Sequence, residues 1–310
     1  MTSTPEKPLP SYLRTPNVPL HRAWNTWAAD RYLDMIFQPL GVRVTPLLFS
    51  AAAGKALLPG PGHPVKLGAH STDGSTVEAE VSHGGTVLDW SWGKLSAFDL
   101  AGGWKVRRHG EWGLRFWVVL VLTQEDGAVW RFDEERGIAS TSVGPRTVAI
   151  KAERAPLLVT GHRDVASVAA EYESRGYWYL DSRSTTAPAL ALRFNLEEAP
   201  SNRFAIAIAD RADLAMQRAE RLAEPAPPPA LDDNRAAIRD IMGWNTIWDG
   251  VNHRPYVTCS RNWDLKKFGG FGFWLNDMAV NGLLTSLFDA DQARECLSIV
   301  LSAATPEGNL

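Results

Sequence analysis

From residue 20 to about residue 195, apolar and polar positions alternate in short stretches separated by Gly, Pro, Asp and Ser, the pattern of β-strands. Residues 41–49 alternate and then turn wholly apolar. Residues 75–81 alternate with period two, and Gly84-Gly85 makes a turn into residues 86–92. Residues 115–123 predict a continuous buried strand. The turn Glu125-Asp-Gly127 then leads to residues 128–132, and the combination predicts a β-hairpin. Segments 147–152, 156–160, 189–196 and 203–209 continue the series, interrupted by one predicted helix over 164–175. Strands this numerous, without regular helices between them, predict a large antiparallel β-sandwich.

Downstream the period changes from two to that of helices. Residues 210–223 read as helical, and Glu224-Pro-Ala-Pro-Pro-Pro-Ala230 reads as a stiff, polyproline-like linker. A helix over 234–244 follows, opened by Asp232 and Asp233 at the positive end of its dipole. Further helices are predicted over 274–288 and 292–303, the last capped by residues 289–291. The expected order is a loose lead-in (1–19), a β-sandwich ending in a helix (20–223), the linker (224–230) and the opening of an α domain (231–310). Three helices with wide apolar faces make a poor independent core. The α domain is therefore expected to be truncated, the alternative being that its helices lie against the sandwich.

Composition narrows the function classes. The chain has 310 residues, is 45% apolar and carries 35 acidic against 32 basic residues, so disorder and a basic nucleic-acid footprint are both disfavoured. The longest apolar run, residues 116–122, is strand-sized, and no membrane partner is expected. The first 20 residues lack the apolar core of a secretory signal, and Cys259 and Cys296 read as buried, inert thiols; together these point to the cytoplasm. No zinc-type cluster, serine-nucleophile elbow or phosphate loop is present. Glu134-Glu135 and Glu197-Glu198 read as solvated turn residues.

The chemistry-bearing stretch runs from Gly243 to Asp277. Its 35 residues hold four Trp, three Asp and two Arg, with several Asn and Gly. Indole faces stack on sugar rings while Asp, Asn and Arg hydrogen-bond sugar hydroxyls, a make-up typical of concave ligand sites. Gly269, Gly270 and Gly272 let the backbone approach a ligand closely before the next helix. The competing reading is that these tryptophans fill a core and that Asp264 and Asp277 merely start helices. A second cluster, around Ala23-Trp-Asn-Thr-Trp27, reads as a sandwich edge packed on the helical region.

Four strings in this region resemble the opening of the catalytic domain in family 63 of the glycoside hydrolases, a group of six-hairpin glycosidases. They are Trp244-Asn-Thr-Ile-Trp-Asp249, Arg254-Pro-Tyr-Val-Thr-Cys-Ser-Arg-Asn-Trp263, Gly269-Gly-Phe-Gly-Phe-Trp-Leu-Asn-Asp277 and Thr305-Pro-Glu-Gly-Asn309. The resemblance implies a β-sandwich joined to an (α/α)6 barrel and an inverting hydrolysis of an α-linked glucoside or mannoside by two carboxyl groups. It places both carboxyl groups further along the barrel than residue 310, so no catalytic acid or base is named. It makes Asp277 the sugar-binding carboxylate and Trp274 its aromatic neighbour, with Trp263, Asp264 and Asn276 lining the pocket. Arg261 would orient Asp264 or Asp277 through a charged hydrogen bond. Where the family carries Asp-Trp-Asp, this chain has Leu275, Asn276 and Asp277, which alters the sugar contacts.

The implied partner is an oligosaccharide or small glycoside, with self-association through exposed barrel helices. No cofactor or metal is implied, although loop carboxylates leave calcium open. Two other readings stand beside this one. One is a non-catalytic carbohydrate-binding sandwich using Trp90, Trp92, Trp104, Trp112 and Trp117. The other is an interaction fragment whose helices need a partner chain.

Overall fold

The strand Phe116–Gln124 is apolar at nearly every position because both of its faces are buried. Phe116, Val118, Leu120 and Leu122 point into the core between two sheets. Trp117, Val119 and Val121 point the other way, beneath a helix. The computed structural model describes residues 23–25, 31–60, 63, 65–71, 76–175, 182–221, 232–249, 254–258, 274–302 and 304–308. The linker at 224–230 and the whole of the lead-in at 1–19 lie outside the described residues.

The described chain is mainly antiparallel β-structure in two facing sheets. The first has the order Trp24–Asn25, Met35–Phe37, Val42–Ser50, Phe116–Gln124, Ala189–Asn195, Leu158–His162, with Lys55–Leu57 also paired to Val42–Ser50. The second has nine strands: Thr186–Ala187, Trp130–Asp133, Ile138–Val143, Arg146–Ala152, Ser201–Ala209, Asp99–Arg108, Thr86–Lys94, Thr76–His83 and Val65–His70. Their inner faces meet in one core containing Trp90, Trp92, Trp104 and Trp130. Trp90 and Trp104, paired in register on adjacent strands, stack with ring centroids 5.7 Å apart.

The hairpin predicted across Glu125-Asp-Gly127 does not form. Gly127 does make a turn, with φ of 78° and its N–H donating to the Gln124 carbonyl at 3.0 Å. Phe116–Gln124, however, already has Val42–Ser50 on one edge and Ala189–Asn195 on the other. Trp130–Asp133 therefore crosses to the second sheet and pairs with Ile138–Val143 and Thr186–Ala187. The strands Val65–His70, Asp99–Arg108 and Ile138–Val143 were not among the predicted segments. In Asp99–Arg108 the adjacent Gly102 and Gly103 weaken the strand signal.

Helices cover the outer faces unevenly. Helix α1 (Val165–Arg175) lies on the first sheet through Val165, Val168 and Tyr172. Beneath it the guanidinium of Arg193 sits 3.1 Å from the Trp117 ring centroid, a desolvated cation–π contact. Helix α2 (Ala212–Ala219) approaches the second sheet closely because its buried residues, Ala215 and Ala219, meet Ala149, Ala207 and Ala209. Its cover lies mainly over Arg146–Ala152 and Ser201–Ala209, with Ile138 beneath it and Arg218 paired to Asp99. Helices α3 (Asp233–Asn245), α4 (Leu275–Thr285) and α5 (Ala290–Ser302) gather with the hairpin Thr246–Asp249/Arg254–Val257 around Met242, Val257, Met278, Cys296, Ile299 and Val300. Asp232 caps α3 by accepting the Arg235 N–H at 3.0 Å. The thiol of Cys296 is buried, and that burial pushes its pKa up, as for an inert cysteine.

The seat of α1 carries a pH dependence. His162, almost fully buried, bonds Thr160 Oγ1 at 2.8 Å and faces Glu171 at 3.4 Å. Burial pushes its pKa below the ordinary 6.5 and outweighs the opposing pull of Glu171 and Asp164. His83 is shifted in the same direction, also by burial. The unfolded chain thus takes up these protons first as the pH drops. Stability is full above the ordinary pKa and declines below it, by at most about 1.4 kcal/mol per pH unit for each histidine. Thermal melting between about pH 7.5 and about pH 5.5 is expected to show this decline, with a shallower slope in His162→Gln. Equal slopes for variant and parent would remove His162 from the account.

Candidate functional site

Of the six residues assigned to a sugar site, Arg261, Trp263 and Asp264 lie outside the described residues. Trp274, Asn276 and Asp277 are described, and all three are exposed. Their placement follows from the inward face of α4. Leu275, Met278, Asn281, Gly282 and Thr285 turn toward the small helical core. Asn281 fixes that orientation by donating to the carbonyls of Thr258 and Val257 at 3.2 and 3.4 Å. Residues 274, 276 and 277 therefore fall on the solvent side of the first turn. Trp274 stands at the N-cap position with 42% of its surface exposed. Asp277 lies within that first turn, where the helix dipole favours a carboxylate. An exposed indole beside an exposed amide and carboxylate on one rigid turn can offer a stacking face and hydroxyl-directed hydrogen bonds to one ligand.

The tryptophan-rich stretch does not stay together as one patch. Trp244 turns away, into the edge of the sandwich, where it is 5% exposed. Its indole N–H donates to the Gly68 carbonyl, and its ring lies 4.7 Å from that of His70 and 6.3 Å from that of Tyr32. Gly243 permits this approach, because a Cβ there would stand 2.8 Å from His70 Nδ1 and closer still to the His70 carbonyl oxygen. Trp244 therefore docks α3 on the strand Val65–His70. In the rival sandwich reading, Trp90, Trp92, Trp104 and Trp117 are 0–4% exposed and belong to the cores. Trp112, 58% exposed, is the exception among that set.

A concavity of about 850 Å³ opens on the outer face of the nine-stranded sheet, around the strands Thr76–His83, Thr86–Lys94 and Asp99–Arg108. The outward positions of Thr76–His83, Thr86–Lys94 and Asp99–Arg108 place Glu78 opposite Ser91, Ser91 opposite Gly103, and Asp89 opposite Lys105. One wall is an ion-paired lattice. Arg107 holds Asp89 at 2.7 Å and also pairs with Glu80, whose other oxygen accepts from Lys66 at 2.8 Å. These cations, Lys66 foremost, hold the Glu80 carboxyl below the usual range. The opposite wall is the pair Arg203–Glu153, at 3.0 and 3.3 Å. None of these residues was singled out from the sequence. The available signal was the period-two placement of Glu78 and Glu80, and of Asp89 and Ser91, on strands with apolar partners.

Among the described residues no group of His, Cys, Asp or Glu is arranged to hold a metal ion, and no helix is long and apolar enough to cross a membrane. No family model matches the chain, and no curated protein matches it in sequence. Two solved structures are partly similar to the chain, at low identity. One is a bacterial glucoamylase complexed with acarbose, with 11% identity and a TM-score of 0.48, covering 84% of this chain and 44% of that one. The other is an inverting mannosidase of family GH92 from Bacteroides thetaiotaomicron, with 10% identity and a TM-score of 0.35, covering 68% of this chain and 27% of that one. This chain thus spans less than half the length of either, and both of these structural neighbours are glycoside hydrolases.

Proposed function

We propose that the chain is the sandwich and the first barrel helices of an inverting glycoside hydrolase of the family-63 kind, acting on an α-linked glucoside or mannoside. The observation that carries this reading is the exposure of Trp274, Asn276 and Asp277 together on the opening turn of α4, at the place the resemblance assigns to the sugar-binding motif. Arg261, Trp263 and Asp264 complete the proposed pocket, Arg261 orienting a carboxylate and Trp263 adding a wall. The outer faces of α4 and α5 expose Val280, Leu283, Leu297 and Leu301, an apolar surface suited to a further helical layer. The general acid and the general base are not assigned to residues of this chain.

Turnover of aryl α-glucosides and α-mannosides by the longest reading frame containing this chain tests the proposal. Asp277→Ala removes a charged acceptor from the sugar and is expected to lower kcat/KM by roughly 10- to 150-fold, the equivalent of about 1.5–3 kcal/mol. Proton NMR of the early product should show the β-anomer, as inversion of an α-linkage requires. Unchanged turnover in Asp277→Ala would remove this residue from the site, and an α-anomeric product would overturn the inverting mechanism.

A further inference from the structure

The outer cleft of the nine-stranded sheet has chemistry that the proposed pocket at α4 does not use. Its volume, about 850 Å³, falls within the range of small-ligand clefts, about 300–1,000 Å³. Its charges balance, with four cationic side chains (Lys66, Lys105, Arg107, Arg203) against four anionic ones (Glu78, Glu80, Asp89, Glu153). A balanced cleft does not concentrate phosphates or polycations, because no single sign of field builds up in it. What it presents is an alternation of strong donors and strong acceptors.

The floor between the two ion-paired walls is open. Ser91 is exposed there, and its neighbour across the strand pair is Gly103, which has no side chain. A Cβ at position 103 would stand 3.3 Å from Arg203 Cα and closer still to the Asn202 carbonyl oxygen. Glu78 and Lys105 flank this floor on exposed, outward positions. The walls are already ordered by Arg107 bridging Glu80 and Asp89, and by Arg203 on Glu153. Little ordering cost remains for a ligand to bear.

From this arrangement we infer that the cleft binds a neutral oligosaccharide, independently of the pocket at α4. A protein surface laid here would strip water from paired charges without replacing it. Sugar hydroxyls, which both donate and accept, take the place of that water. They donate to Glu78 and to the remaining lone pairs of Glu80 and Asp89, and accept from Lys105 and Ser91. The rings of Trp90 and Trp104 face the core, at 2% and 3% exposure, so recognition is by hydrogen bonds and not by stacking.

The test is binding of the full chain to an array of neutral and anionic glycans, followed by NMR titration with the best neutral trisaccharide. Ser91→Tyr fills the floor, while Glu78→Gln with Lys105→Met removes the flanking charges; both leave outward strand positions occupied by residues that fit them. Each is expected to weaken binding by about tenfold or more with unchanged thermal melting. Binding should respond little to added salt and should persist in Asp277→Ala, which separates it from the proposed active site. Absence of neutral-glycan binding, binding retained in Ser91→Tyr, or binding lost in Asp277→Ala would each overturn the inference. Binding confined to anionic glycans and abolished by salt would do the same.

Discussion

Trp92→Ala is expected to lower the unfolding free energy by about 3–5 kcal/mol. Trp92 is fully buried on the strand Thr86–Lys94, opposite Val77 on one side and Gly102 on the other. Gly102 is what makes room for it, since a Cβ there would lie 2.7 Å from the Cβ of Trp92. The tip of the Phe204 ring also lies over Gly102, so it is the side chain on that flank next to the void an alanine at 92 would leave. Trp92→Phe should cost markedly less. It keeps most of the apolar volume, and the indole N–H it removes is buried without a hydrogen-bond partner among the described residues. Urea denaturation of the three proteins measures both effects. A loss below about 1 kcal/mol in the alanine variant would mean that the core closes over the site.

The second large effect concerns how the helices are held. Gly243→Ala is expected to loosen α3 from the sandwich by about 1–3 kcal/mol of overpacking, even though alanine suits a helix better than glycine by about 1 kcal/mol. The new Cβ meets the backbone of His70, which belongs to a sheet and cannot yield as a side chain would. Moving α3 away would also separate Trp244 from its acceptor at Gly68 and from the His70 ring. Hydrogen exchange resolves the effect by region. Protection should fall across α3, α4 and α5, while Phe116–Gln124 and its neighbours keep theirs. Equal or greater protection of α3 in the variant would show that the close approach at Gly243 is not what seats the helix.

Much of the architecture was legible in the chain because periodicity reports burial. The alternation of residues 75–81 and the apolar run of 115–123 correspond to the strands Thr76–His83 and Phe116–Gln124. The five α-helices among the described residues also lie where their periods place them. Asp99–Arg108 escaped because Gly102 and Gly103 interrupt the pattern, yet those glycines serve packing on one face and an open floor on the other. The hairpin at Gly127 was misread for a different reason. A turn signal shows that the chain reverses; it carries no information about which edges of the preceding strand are already taken. At the α4 turn, the family resemblance named Trp274, Asn276 and Asp277, and the inward pull of Leu275 and Met278 put them in the open.

By itself, then, the sequence determined the antiparallel two-sheet character and the switch to helices after residue 210, and it marked the stretch from Gly243 to Asp277 as dense in tryptophan and polar residues. Local pattern suffices for these because burial on one face or two is written in each segment's own residues. The tertiary structure alone decided that Trp244 docks a helix on the sandwich while Trp274 faces solvent. It alone brought Glu78, Asp89, Lys105 and Arg203 from four strands to one cleft. Such neighbours lie far apart in the chain, and only strand order and register make them adjacent.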